Sequence, residues 1–276
     1  MRRVSLLLFA LFAIFSCKKE EISSITPKLK NCRVEYLFFQ DDIMMTGGQS
    51  YSFPPDDSQN TKCSYLYGDN KMIKITGGFL TVPSGTNFSN RIFSKDVYDS
   101  ISTIGRTIYV YTKYEINGSV SEDNFNPIIF NLDSHEKLIK ITKKDDFHSS
   151  EFDLNYTFSE NQINETYSDG KVRRKFYFEK NNLIKVVSEV YDFQGLIFGK
   201  KEILFQQFDD KPNPFKNMYF VKGAFFRAFS DNNYKSYTTN KYMRSSDGTL
   251  VLTSNYWFSM PILYNTDGYP MFGDYE

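Results

Sequence analysis

The residues with types and spacing suited to chemistry are few. Asp145-Asp146-Phe147-His148 puts a carboxylate two residues before an imidazole, so on a strand Asp146 and His148 share a face while Asp145 points away. The string lies in a polar stretch between strand candidates, and a solvated loop is the expected reading. His135, followed by Glu136, reads as part of a turn. The acid pairs Glu122-Asp123 and Asp209-Asp210 would serve glycoside hydrolysis only with two carboxyls about 5–9 Å apart across a sugar. Adjacent acids on a strand face opposite ways, so turn chemistry is the expectation for both. The sequence has no Gly-x-Ser-x-Gly elbow, no His-Glu-x-x-His, no phosphate-binding glycine loop and no Asp-x-Asp-x-Asp-Gly calcium loop. No catalytic residue, metal ligand or cofactor is therefore assigned.

Cysteines and aromatic rings are the remaining reactive or adhesive groups. Cys32 and Cys63 form an even pair whose disulfide would close a loop of about 31 residues, worth roughly 3–4 kcal/mol on a chain-entropy argument; two buried thiols are the alternative. Tyr256 and Trp257, with Tyr264 and Tyr269 nearby, are candidate ligand-contact rings of the kind that stack on sugars or anchor protein interfaces. The competing reading, and the preferred one, has them filling the core of an aromatic-rich sheet.

The elements that hold these residues follow from alternation. The chain carries 20 Tyr, 27 Phe and one Trp, a composition suited to pleated, half-buried surfaces. Four loose repeats each begin with an alternating pair: Tyr65-x-Tyr67 leading to Met72 in MIKI, Phe130-x-Leu132 to Leu138 in LIKI, Tyr156-x-Phe158 to Ile163, and Phe176-x-Phe178 to Leu183 in LIKV. Each reads as a β-hairpin with one buried face. Thr107–Ile116 runs into Asn117-Gly118, and Asp169-Gly170, Asp247-Gly248 and Asp267-Gly268 mark further turns. Ser94–Ile101 and Pro214–Ser230 are the two helix candidates, the second from the spacing of Phe215, Tyr219, Phe226 and Phe229. The expected fold is all-β with minor helix: an antiparallel meander forming one curved, many-stranded sheet of hairpin repeats.

Met1–Cys17 has the build of a secretory signal, with Arg2 and Arg3, an apolar run from Val4 to Phe15 and the small Ser16. Its apolar run is shorter than the ~20 residues a membrane-spanning helix needs. Ile14-Phe15-Ser16-Cys17 resembles the bacterial lipobox, which implies lipidation of Cys17 and cleavage before it. Lys18-Lys19-Glu20-Glu21 resembles the short signal that sends Bacteroidetes lipoproteins to the outer face of the outer membrane. Residues 18–30 then read as a flexible tether and 31–276 as a single β-rich domain. Without Arg2 and Arg3 the 33 basic residues fall two short of the 33 acidic ones, a balance that excludes nucleic-acid binding by bulk charge.

The hairpin units, with Asp209–Asn217, Asp231-Asn232-Asn233 and Asp267-Gly268-Tyr269-Pro270, are similar to those of uncharacterised Bacteroidetes lipoproteins and to tyrosine-aspartate repeats of shell-forming proteins. Asp99-Ser100-Ile101 resembles a Bacteroidetes O-glycosylation acceptor, which would modify Ser100. The expected role is a membrane-anchored, surface-exposed, non-enzymatic binding or structural lipoprotein with a glycan or protein ligand. A carbohydrate-active enzyme or its glycan-binding accessory, and a periplasm-facing envelope-assembly or lipid-handling protein, are the alternatives.

Overall fold

The computed structural model describes residues 28–33, 50–52, 62–84, 88–116, 119–122, 126–144, 151–221 and 223–275. Met1–Cys17, read above as a signal with a lipidation cysteine, Asn117-Gly118, read as a turn, and Asp145–His148 lie outside these. Among the described residues the chain is nearly all strand: a single open antiparallel meander of 14 strands, with two short strands beside it.

The first half contributes β1 (Asn31–Arg33), β2 (Ser50–Ser52), β3 (Lys62–Gly68), β4 (Lys71–Ser84), β5 (Phe88–Ile104), β6 (Thr107–Ile116), β7 (Ser119–Glu122) and β8 (Ile128–Leu132). The second half contributes β9 (Leu138–Lys144), β10 (Glu151–Ser159), β11 (Gln162–Tyr167), β12 (Val172–Glu179), β13 (Asn182–Tyr191), β14 (Ile197–Pro212), β15 (Asn232–Arg244) and β16 (Leu250–Ser259). Strands neighbour each other in chain order; β2, parallel to β5, and β7, beside β6, stand off the path.

The four sequence repeats are hairpins, and three of them encode a bulge. Tyr67 pairs with Met72, Leu132 with Leu138 and Phe178 with Leu183, each after a one-residue register shift. The residue skipped on the second strand is the isoleucine of MIKI, LIKI and LIKV: Ile73, Ile139 and Ile184. The fourth unit has Asn164 where the others have this isoleucine, and its pairs from Tyr156↔Glu165 to Phe158↔Ile163 run without a shift. A bulge sharpens the local twist, so repeating it bends the sheet into the curve that the repeats predicted.

Turn chemistry fixes the hairpins. Asp69-Asn70 and Lys180-Asn181 both hold two successive residues at positive φ, the geometry whose twist suits a two-residue hairpin loop. A five-residue turn recurs at 133–137, 167–171, 192–196, 245–249 and 265–269, in each case with the fourth residue's N–H donated to the first residue's carbonyl. That fourth residue is Gly170, Gly195, Gly248 or Gly268 at positive φ, but Glu136 (φ 60°) in the first.

One face of the curved sheet carries the core. A row of directly paired residues, Ile163, Phe176, Val186, Ile203 and Thr239, crosses β11 to β15 and is buried throughout. It is covered not by another sheet but by the β14–β15 connection, whose Phe215, Tyr219, Phe225, Phe226 and Phe229 are buried, and by the C-terminal segment through Met260, Ile262 and Phe272. Phe176 meets Phe229 at 5.1 Å between ring centroids and Phe226 at 6.0 Å. In every repeat the first side chain of the pair is buried (Tyr65, Phe130, Tyr156, Phe176). The second is only partly covered (Tyr67, Leu132, Phe178) or, for Phe158, 36% exposed. The one buried face expected of each hairpin thus holds fully for the first residue of each pair, while the second, beside the turn, is less covered.

Neither helix candidate is a helix. Ser94–Ile101 belongs to β5, with Val97, Asp99 and Ile101 buried on one face. Val97 and Ile101 are four apart, which satisfies helix and strand alike. The described residues of Pro214–Ser230 run through turns and the 3-10 turn Arg227–Phe229. Asn217 (φ 63°) and Gly223 (φ 77°) interrupt any helix, and its aromatic spacing is met by an irregular path.

The sheet has two distinct rims. β1 runs antiparallel to β3 with Asn31 opposite Ser64 and Arg33 opposite Lys62, so residues 28–30 lie beside the β3–β4 turn. Lys28 Nζ donates to Asn70 Oδ1 there at 2.7 Å. The meander puts the β5–β6, β8–β9, β10–β11 and β12–β13 turns on that same rim. The β11–β12, β13–β14 and β15–β16 turns fall on the opposite rim. The C-terminal segment returns to the first edge, where Lys30 N donates to Asp274 O at 2.8 Å and Leu29 bridges Tyr275.

Candidate functional site

Chemistry inside the sheet is structural. Beside the apolar row runs a second row of direct pairs on the same face: Tyr156, Glu165, Arg174, Ser188, Lys201, Lys241 and Ser254, from β10 to β16. At its buried end Glu165 accepts Arg174 Nε at 2.8 Å and Nη2 at 2.6 Å, Arg173 Nη1 at 2.8 Å and Tyr156 Oη at 2.7 Å. Burial alone would raise the Glu165 pKa, but the charge and hydrogen bonds of Arg174, then Arg173 and Tyr156, bring it down to about 2. Burial, and next the Glu165 charge, push the Tyr156 hydroxyl upward. The Arg174 guanidinium lies 5.3–5.5 Å from the ring centres of Phe176, Phe225 and Phe226. A carboxylate held ionised by two arginines has no proton to donate near neutral pH, and its lone pairs are occupied.

The acid and amide motifs of the C-terminal third are locks. Asp209 accepts from Lys211 N at 3.0 Å, from Asn233 N at 3.1 Å and from the Tyr264 hydroxyl, while its neighbour Asp210 is exposed beside Lys211. Asn213 donates to the carbonyls of Arg227 and Ser230 at 2.6 and 2.9 Å and accepts from Phe215 N at 3.0 Å, pinning both ends of the covering segment. Asn182 and Asn232 bond each other, tying β13 to β15's start. The turn reading of Asp209-Asp210 is corrected: both lie in the irregular end of β14, where Asp209 is a tertiary clamp. Among the described residues no group of three or more His, Cys, Asp or Glu is placed to hold a metal. His135 lies exposed in the 133–137 turn, 3.3 Å from Ser134 Oγ.

Cys32 and Cys63 are direct cross-strand partners, as a disulfide would require, yet both are buried thiols here. The Cys63 thiol is 3.5 Å from the Gly77 carbonyl. Ser100 is half-buried in the middle of β5, paired with Lys74 and Tyr111, and Asp99 beside it is buried with Thr112 Oγ1 donating to it at 2.8 Å.

The aromatic candidates separate. Tyr264 and Tyr269 are partly buried in the C-terminal hairpin, Tyr269 5.4 Å from Tyr275. Tyr256 and Trp257 lie on β16, 54% and 59% exposed, and point to opposite faces of the sheet. The preferred core reading is corrected for these two: the covering segments stop short of β16, so the sheet overshoots its own core. The Tyr237 ring, 6.3 Å away, meets the Tyr256 ring.

Sequence reasoning missed the surface that stands out most. On the rim opposite residues 28–30, the tips of β13–β14 and β15–β16 expose Val190, Tyr191, Phe193, Leu196, Phe198, Met243, Leu250, Val251 and Leu252. Phe193, at the apex of its turn, is 97% exposed. Val190, Met243 and Val251 share one face and one row through Gly199, and directly behind them Lys201 and Lys241 stand opposite each other. Arg244 Nη1 ties the two tips together by its bond to Asp192 Oδ2 at 2.7 Å. An apolar run at a hairpin tip, Asp192-Phe193-Gln194-Gly195-Leu196, was the available signal; a turn that polar residues should dominate holds two large apolar ones.

The architecture is that of a long antiparallel meander with one filled face. No protein-family model matches the chain, and no curated protein matches it. Among solved structures it is similar to two porin-like proteins. One, from Bacteroides vulgatus, matches at TM-score 0.42 and 11% identity over 76% of this chain and 85% of that one. The other, from Bacteroides uniformis, matches at TM-score 0.37 and 12% identity over 71% and 86%. At this level the likeness bears on neither activity nor location.

Proposed function

We propose that the chain is a non-enzymatic lipoprotein, anchored through Cys17, that presents the apolar rim of β13–β16 to a protein partner away from its membrane. The observation that carries this reading is the placement of the two rims. Residues 28–30, where the tether of 18–30 joins the sheet, lie at one rim, and the exposed tips lie at the other. β14 alone is 16 residues long, about 50 Å at the usual rise per residue, so the tips stand well clear of the tether. Apolar patches of this extent on a soluble surface mark interaction sites. The paired Lys201 and Lys241 behind the patch suit a partner whose apolar contact is bordered by acidic groups.

A photocrosslinking residue in place of Phe193, in the full-length chain in its own membranes, tests this. It should give a discrete protein adduct, and the same residue in place of Lys71 on the tether rim should give none. No adduct at 193, or equal adducts at both, would contradict the reading. One observation favours glycan binding as a second reading. Trp257 is exposed on the outer face beside Thr238, with Asn255 Nδ2 bonded to Asn240 Oδ1 at 2.6 Å in the next row. A flat indole bordered by amides and a hydroxyl suits a neutral sugar, and loss of glycan-array binding in Trp257→Ala is its test.

A further inference from the structure

The two edges of the sheet are treated differently. At one edge β1 is three residues long, carries Arg33, and is flanked by backbone already bonded to Asp274 and Tyr275. Short strands, charges and a covering segment are the usual protections against strand addition. β16 has none of them. It spans ten residues without a charge, a proline or a glycine, and among the described residues it pairs only with β15. Leu250, Val251, Leu252, Tyr256 and Trp257 along it are 36–59% exposed. We propose that β16 pairs antiparallel with β16 of a second copy, about a twofold axis perpendicular to the sheet. The proposal rests on the binding-module reading only in requiring β16 to be accessible.

The order of residues along the strand is what selects a second copy as the occupant. Leu250–Leu252 are aliphatic, Thr253–Asn255 uncharged and polar, and Tyr256–Phe258 aromatic. Antiparallel self-pairing with Asn255 opposite Asn255 of the second copy, Ser254 opposite Tyr256 and the bulged Thr253 skipped sets each aliphatic half against an aromatic half. Such a twofold keeps the faces of both sheets on the same sides, so facing residues must share a face. Leu252 and Trp257 are an odd number of residues apart and would fall on opposite faces of an unbroken strand. The bulge that skips Thr253 corrects this: Leu252 pairs with Tyr242 and Trp257 with Thr238, both on the outer face. Val251, opposite Met243, and Phe258, opposite Tyr237, share the inner face by the same shift.

Each copy therefore brings Leu252 to the partner's Trp257 outside and Val251 to the partner's Phe258 inside, aromatic–aliphatic pairs of the favourable kind. Because the strand is uncharged, self-pairing places no like charges together. The neighbouring strands could not do this, since β14 carries Lys200 and Lys201 and β15 carries Lys235 and Lys241.

The test uses the full-length chain in its own membranes, with cysteine placed at exposed Asn255 or, as control, at exposed Glu160 on the far rim, under mild oxidation. Cys32 and Cys63 are buried and serve as an internal background. Asn255→Cys is expected to give a band at twice the chain's mass that disappears when Trp257→Lys is added, while Glu160→Cys stays at single mass. The proposal is overturned if Asn255→Cys remains at single mass although maleimide labels it, if it links to a protein of another mass, or if Glu160→Cys dimerises equally. Retention of the chain in the membrane fraction is read from the same samples, so loss of anchoring and loss of pairing are told apart.

Discussion

Glu165 and Arg174 face each other across β11 and β12 through two hydrogen bonds of 2.8 and 2.6 Å, with both side chains shut away from water. Nine residues separate them in the chain, joined by the Asp169-Gly170 turn. An ion pair this deep is satisfied only as a whole, since either partner alone would be a buried uncompensated charge. Glu165→Ala or Arg174→Ala should each cost roughly 3–5 kcal/mol, and the double variant much less than their sum. Denaturant melts of the three variants check this; additive losses would mean the two groups act separately.

The same carboxylate sets an acid limit. Its pKa is about 2 in the folded chain against an ordinary value of 4.5. A depressed folded pKa gives stability that is fully present above about pH 4.5 and is lost as pH falls towards about 2. The shift is worth roughly 3 kcal/mol. Stability measured from pH 6 to pH 2 should fall in that window, and Glu165→Gln, already destabilised, should show a shallower fall.

Phe176 and Phe178 share a strand face but not a burial: Phe176 touches Phe225, Phe226 and Phe229, whereas Phe178 sits past the bulge. Phe176→Ala should cost about 3–5 kcal/mol and Phe178→Ala roughly half of that. Glu179→Ala, on an exposed side chain, should stay within about 0.5 kcal/mol. Equal losses for the two phenylalanines would place the bulge wrongly.

Glu136 occupies the position that four sister turns give to glycine, at φ 60°. Its side chain is exposed, so replacing it removes backbone strain and no packing. Glu136→Gly should stabilise the chain by about 1 kcal/mol, and Gly170→Ala should destabilise it by about as much. Melting curves that move the other way would show that the turns are not equivalent.

Strands and their order were legible because alternation and turn residues act locally. MIKI, LIKI and LIKV marked the hairpins, although only the pairing register shows that the isoleucine is the skipped residue. Ser94–Ile101 misled because Val97 and Ile101 fit both periods, and Pro214–Ser230 because its rings cover the sheet from an irregular path. The Glu165 cluster was hidden for a different reason. Counting back from the Asp169-Gly170 turn would bring Glu165 opposite Arg174 only if the register shift between Glu165 and Thr166 were known. Tyr256 and Trp257 were misjudged because exposure there depends on how far the covering segments reach, which is a property of the whole fold.

In the proposed function the tether end of the sheet lies at the membrane and the apolar rim of β13–β16 at the opposite end. The most direct measurement places a fluorophore at Phe193→Cys or at Lys71→Cys of the full-length, lipid-bearing chain in vesicles containing nitroxide-labelled lipid. Strong quenching is expected at 71 and little at 193, with both lost in Cys17→Ala. Equal quenching, or stronger quenching at 193, would contradict this arrangement.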